Sequence, residues 1–186
     1  MYERLIYKLL ESEKTVFSLN EIAMLVNAKE TSNLKSQLHY YVKIGLLLNI
    51  RRGFYAKQKY NIEEFACKLY TPSYISLDYV LQKESINFQF NSKISAISYL
   101  SREITLDNNT ISYRKLKNTV LINTTGIRRL DNGINIATVE RAVMDSLYLN
   151  KSGYFDNITK LNIDLMRKMI SIYQSKSLEN LFKKTF

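Results

Sequence analysis

The chain has 186 residues, 46% of them hydrophobic, which is enough to bury a core as one large domain or two small ones and too apolar for a disordered segment. Lys and Arg number 27 against 17 Asp and Glu, and the net charge of +10 favours a polyanionic partner. No run of about 18 apolar residues occurs, which excludes a spanning helix, and a single Cys excludes an internal disulfide and a Cys-rich metal site, while one Cys with one His argues against zinc.

A chain this rich in Lys, Asn, Ile and Tyr carries positive charge through composition alone, so the placement of charge matters more than its total. Residues 1–60 hold 10 Lys/Arg against 5 Asp/Glu, and the other 126 hold 17 against 12. The excess is the same in each part, so the first is about twice as basic per residue. The N-terminus, MYERLIYKLLESEK, carries acids inside its apolar stretch and lacks a signal-peptide pattern, so a cytoplasmic protein is expected.

Residues 1–12 predict a first helix with Leu5, Ile6, Leu9 and Leu10 inward. Thr15-Val16-Phe17 suits a short strand. Ser18 then caps a helix, with Glu21 completing a capping box and Ile22, Leu25 and Val26 forming an apolar stripe. Asn27 and Ala28 break it, and Thr31 or Ser32 opens the next helix. There Leu34, Leu38, Tyr41 and Val42 share one face. Ser32, Ser36, His39, Tyr40 and Lys43 lie roughly opposite, flanked by Asn33, Lys35 and Gln37. These small, hydrogen-bonding and basic residues suit base edges and phosphates in a major groove. Gly45 is a C-cap. Leu46, Leu47, Leu48 and Ile50 read as a buried strand, Arg51-Arg52-Gly53 as a turn, and Phe54-Tyr55-Ala56 as the return strand. Helix, turn, helix and basic hairpin in that order follow the plan of a winged helix-turn-helix, whose basic turn sits over phosphates or in the minor groove. Two other readings stand beside this one. Any amphipathic helix has a solvated polar face, and a winged helix can serve as a protein-binding scaffold.

Lys57 to Asn61 is a polar link. Asn61 caps a short helix that ends before Pro72, with Cys67 on its buried face. Ser73-Tyr74-Ile75 reads as an extended joint, and Ser76 as the cap of LDYVLQKES. From Phe88 the pattern turns β-rich: Ile94–Leu100, Glu103–Leu106, Thr110–Leu116, Thr119–Asn123, Thr125–Leu130 and Ile134–Ala137, with turns at Asp107-Asn108-Asn109 and Asp131-Asn132-Gly133. An antiparallel sheet of about four to six strands is expected. Thr138 caps VERAVMDSLYLN, with Val139, Ala142, Val143 and Leu147 inward, and Arg141 and Asp145 stand one turn apart, able to pair. Lys151-Ser152-Gly153-Tyr154 is a loop. A long helix starts at Asn157 or Thr159 and runs to Tyr173, and Ser177–Phe186 forms the last. The expected architecture is α+β: residues 1–60 a winged helix-turn-helix, residues 61–186 an α+β interaction domain with a small antiparallel sheet and C-terminal helices.

Three stretches together resemble the AbiEi family, the antitoxins of type IV toxin–antitoxin pairs. They are the winged helix with Arg51-Arg52-Gly53-Phe54-Tyr55, the run Ile75-Ser76-Leu77-Asp78-Tyr79-Val80-Leu81 after Pro72-Ser73-Tyr74, and the run Ile136-Ala137-Thr138-Val139-Glu140-Arg141-Ala142-Val143-Met144-Asp145-Ser146-Leu147-Tyr148. The resemblance implies an N-terminal domain that represses the antitoxin–toxin operon by binding double-stranded DNA upstream of its own gene, as a homodimer or cooperatively. It also implies a C-terminal domain that neutralises a nucleotidyltransferase toxin. The DNA-facing residues it implies lie on the helix from Ser32 to Lys43 and at Arg51 and Arg52. Glu140, Arg141 and Asp145 match its helix motif, where a structural cap and an intrahelical pair are favoured over catalysis.

Two other functions compete. A metal-dependent nuclease would need clustered acids, and Glu103, Asp107 and Asp131 fall at turns or strand ends without a recognisable spacing; no phosphate-cradling Gly-rich loop occurs. An interaction scaffold without DNA binding could draw on the 14 Tyr and 8 Phe. No enzyme activity, cofactor, metal or membrane partner is expected.

Overall fold

The computed structural model describes the chain apart from Met1, residues 28–30, Phe90 and residues 152–153, and describes only the backbone of residues 2–4, Thr31 and Ser32. The chain is α+β and divides into two compact units, residues 1–65 with 131–133, and residues 66–130 with 134–186. No helix among the described residues is long and apolar enough to cross a membrane.

The first unit runs α1 (Tyr2–Glu11), β1 (Val16–Ser18), α2 (Leu19–Leu25), α3 (Thr31–Lys43), β2 (Leu48–Arg51) and β3 (Phe54–Ala56). Its core gathers Leu5, Ile6 and Leu9 of α1, Ile22 of α2, and Leu34, Leu38 and Tyr41 of α3 around Phe17, Leu47 and Tyr55. The capping box at Ser18 is present: its Oγ accepts the Glu21 N–H at 3.2 Å, and the Glu21 carboxylate accepts the Ser18 N–H at 2.8 Å. Two expected core residues are not buried. Leu10 and Leu25 are each 42% exposed. Leu10 is rotated about 100° from Leu9 around α1, and α2 is a seven-residue helix with Ile22 as its buried residue.

The strands of this unit form an antiparallel sheet in the order β1-β3-β2, with Val16 opposite Ala56. The stretch from Leu46 to Ile50 is not a buried strand as its sequence predicts. Leu47 is buried ahead of β2, Leu46 is exposed, and β2 alternates half-buried and exposed residues because it lies at the sheet edge. Asn61 accepts the Glu63 N–H and so caps α4 (Ile62–Leu69). Glu64, wholly buried, accepts the N–H groups of Thr15 and Val16 and the Thr15 hydroxyl, which satisfies the entry to β1.

The second unit continues with β4 (Ser73–Ile75), α5 (Asp78–Lys83), β5 (Ile94–Ser98), β6 (Arg102–Leu106), β7 (Asn109–Lys115), α6 (Asn118–Leu121), β8 (Ile127–Arg129), β9 (Asn135–Ala137), α7 (Val139–Asn150), α8 (Ile163–Tyr173) and α9 (Lys176–Thr185). The strands form one six-stranded sheet in the order β6-β7-β5-β4-β9-β8. It is mixed rather than antiparallel: β5 runs parallel to β7, and β4 parallel to β9. The stretch expected as a joint, Ser73-Tyr74-Ile75, is a buried strand between β5 and β9. Three residues are too few for an alternating pattern to show. Ser76 does not cap α5; Leu77 holds that position, and the Ser76 hydroxyl donates to Asp145 at 2.8 Å. Thr119–Asn123 is not a strand, because α6 forms there with Val120 and Leu121 buried. Residues 158–160 form a 3-10 turn, and α8 starts only after its cap Asn162. Of the expected loop at 151–154, residues 152 and 153 lie outside the described residues.

The core of this unit is built around Arg141. Thr138 accepts the Arg141 N–H and caps α7, and the Arg141 side chain is wholly buried. Its Nε donates to Asp145 at 3.2 Å, its Nη1 to the Thr125 carbonyl at 3.0 Å, and its Nη2 to the Val120 carbonyl at 2.8 Å and the Tyr74 hydroxyl at 3.1 Å. Asp145, also wholly buried, accepts from Ser76, Tyr74 and Tyr173. Gly126 lies beneath this cluster at φ +73; a Cβ there would stand 2.9 Å from the Arg141 Cβ and 2.8 Å from the Met169 Cε, so only glycine fits. Burial pushes the Asp145 carboxyl up, against the pull of Arg141 and the three hydroxyls. Burial works most strongly against the charge of Arg141 too, but Asp145, Tyr173 and Tyr74 together outweigh it, and its proton is held more tightly than in water. Burial, and then Asp145, push the Tyr74 and Tyr173 phenols well above their ordinary value.

Two outcomes follow from this cluster. Arg141→Met leaves Asp145 buried without its cation and lowers unfolding stability by about 3–5 kcal/mol, and Arg141→Lys, with fewer donors, restores little of it. Denaturant titration measures both, and a Lys variant as stable as the parent would contradict the geometry. The folded state holds the Tyr74 and Tyr173 protons more tightly than the unfolded state does. Their contribution is therefore complete below the ordinary phenol value near 10 and is lost as pH rises through the higher folded values. In an ultraviolet titration of the 14 tyrosines, these two ionise only with unfolding; full phenolate formation with the fold intact would refute it.

Candidate nucleic-acid interface

In α3, thirteen residues long, every third or fourth position faces the core. Leu34, Leu38 and Tyr41 fill that face and Val42 packs beside them. The rest of the surface is turned out. Asn33, Lys35, Ser36, His39, Tyr40 and Lys43 are exposed and Gln37 is half-buried. The Ser32 side chain lies outside the described residues. A helix of this length spans about 20 Å, and among the described residues its polar face runs from Asn33 to Lys43. Tyr40, 54% exposed, is the large aromatic on that face and lies 6.0 Å from the ring of Tyr41.

The helix ends in a Schellman motif. Gly45 sits at φ +74 and donates its N–H to the Val42 carbonyl, and Leu46 donates to Tyr41. That turn delivers Leu47 into the core and starts β2. Arg51 lies opposite Phe54, so Arg52 and Gly53 form a two-residue hairpin turn. Arg51 and Arg52 are both exposed, and neither takes part in an ion pair among the described residues. Three contacts tie the hairpin down. β3 pairs with β1, the Leu19 N–H donates to the Gly53 carbonyl at 2.9 Å, and Gln58 donates to the Gly45 carbonyl at 2.7 Å. Lys57, expected as part of a polar link, donates to the carbonyls of Leu10 and Ser12 and closes the unit instead. No sequence pattern marks these anchoring residues, because a backbone carbonyl accepts from any suitably placed donor.

No protein-family model matches the chain, and no curated protein matches it either. The remaining sequence-derived candidates are dispersed. Glu103 pairs with Lys93 at 2.8 Å, Asp107 lies in the β6–β7 turn, and Asp131 lies in the β8–β9 turn. No three His, Cys, Asp or Glu side chains among the described residues come together as a metal site. Glu140 accepts the Asn162 N–H at 3.4 Å, and Arg141 and Asp145 form the spaced pair, wholly buried and out of reach of any substrate.

Proposed function

We propose that this protein is a DNA-binding transcriptional repressor of its own operon, acting in the cytoplasm. Its first unit is read as a winged helix-turn-helix. The observation that carries this reading is the outward face of α3, polar and basic from Asn33 to Lys43, with Arg51 and Arg52 exposed on an anchored hairpin of the same unit. In this reading α3 enters the major groove. Asn33, Ser36, Gln37 and His39 meet base edges, Lys35, Tyr40 and Lys43 meet the backbone, and the hairpin arginines contact phosphate or the minor groove. Binding is dimeric or cooperative on inverted repeats, since one helix reads only a few base pairs. The resemblance to AbiEi antitoxins extends the proposal to residues 61–186, which would neutralise a nucleotidyltransferase toxin.

The test is a gel-shift titration against the DNA upstream of the protein's own gene, with random DNA as control, at two salt concentrations. Preferential and salt-sensitive binding is expected, and no binding at low salt would refute the proposal. Arg51→Ala with Arg52→Ala should weaken binding to every sequence and reduce the salt slope by about two. Ser36→Ala and Gln37→Ala should each cost about 1–3 kcal/mol at particular base pairs and relax preference there. Equal loss on specific and random DNA for both sets would defeat this division of roles.

A further inference from the structure

A second cationic site is built into the sheet unit. β5 and β7 are parallel and finish side by side, with Ser98 opposite Lys115, and the Leu116 N–H then donates to the Ser98 carbonyl at 3.1 Å. Outside the carboxyl ends of this pair lies an open cavity of about 620 Å³, lined by Tyr99, Lys115, Lys117, Asn118, Thr119 and Gln174 among others. In open α/β sheets ligands bind outside the carboxyl ends of the strands, and this groove, open to solvent, lies in the corresponding place beside β5 and β7.

The lining is chemically consistent. Lys115 and Lys117 are exposed, and neither has an ion-pair partner among the described residues. Arg102, opposite Tyr113 in β6, adds a third exposed cation at this end of the sheet. Nearby acids are engaged or distant: Glu103 is held by Lys93, and Asp107 sits at the far end of β6. Tyr99 is 42% exposed, and its ring is set by an edge contact with Tyr70 at 6.3 Å, itself edge-on to buried Tyr113 at 4.8 Å. That contact favours one orientation of the ring and leaves part of it open to solvent. Asn118, Thr119 and Gln174 add amide and hydroxyl groups that can both donate and accept.

We propose that this cavity binds a nucleoside phosphate, with the phosphate between Lys115 and Lys117 and the base against the Tyr99 ring. Two ammonium groups without carboxylate partners suit a phosphate, and an exposed, oriented ring suits any base through stacking. The site uses none of the residues assigned to DNA, so the two proposals can fail separately.

The test uses the full chain and the fluorescence anisotropy of N-methylanthraniloyl-ATP, with ATP, GTP, CTP, UTP and inorganic phosphate as competitors. Saturable binding displaced by nucleoside triphosphates is expected. Lys115→Ala with Lys117→Ala should weaken it roughly tenfold or more without changing the melting temperature, since both side chains are exposed. Tyr99→Ala should weaken it and Tyr99→Phe should retain it, while Arg51→Ala with Arg52→Ala should leave it unchanged. The proposal is overturned by an absence of saturable binding, or by loss in the hairpin variant alone. It is equally overturned if inorganic phosphate competes as well as ATP and Tyr99→Ala binds like the parent.

Discussion

The sheet unit depends on one buried guanidinium. Taking Arg141 and Asp145 out of water costs several kcal/mol per ion, and only a nearly complete set of partners offsets it. The partners come from separate elements: Tyr74 from β4, Ser76 just after it, Tyr173 from α8, and the Val120 carbonyl of α6. None of them can move away without stranding a charge. The cluster therefore fixes where α7 and α8 sit on the sheet, and it makes a four-residue helix possible. α6 is far too short to hold itself together; Arg141 donates to its Val120 carbonyl, which also accepts the Asn123 N–H, and to the Thr125 carbonyl that follows.

The first unit is organised differently, by a division of one helix surface. α3 buries Leu34, Leu38 and Tyr41 and turns polar and basic groups outward. The same core residues that hold the helix orient its outer face. Its limits are set locally, by Gly45 at one end and by the Arg52-Gly53 turn beyond β2. The buried Glu64 completes the frame by satisfying the N–H groups where the chain enters β1.

Much of the first unit was legible in the sequence, because its signals are local. The Ser18–Glu21 box, the glycine after α3, the Arg-Arg-Gly turn and the spacing of Leu34, Leu38 and Tyr41 each act within a few residues. The outward placement of Asn33, Lys35, Ser36, His39, Tyr40 and Lys43 followed from the helical periodicity, and that of Arg51 and Arg52 from the turn signal. The sheet unit was less legible where long-range contacts decide. Thr119–Asn123 has the β-branched character of a strand, yet α6 forms there with Val120 and Leu121 buried and its Val120 carbonyl bonded to an arginine some twenty residues later. Ser73–Ile75 is too short for a period, and Ser76 is drawn from a capping role by Asp145. Strand direction was hidden as well: nothing local in β5 or β7 states that they run parallel. The Arg141–Asp145 spacing was visible, but its complete burial was not, since an exposed helical pair looks identical in sequence.

The bond from the Leu19 N–H to the Gly53 carbonyl reaches beyond the hairpin it holds. A two-residue turn of Arg52 and Gly53 at a sheet edge would ordinarily sample many backbone conformations in solution. Fastening the turn to the start of α2 spends that disorder during folding instead. The backbone on which Arg51 and Arg52 stand is thus ordered on folding, and only their side-chain rotamers are left to be fixed by any contact made there.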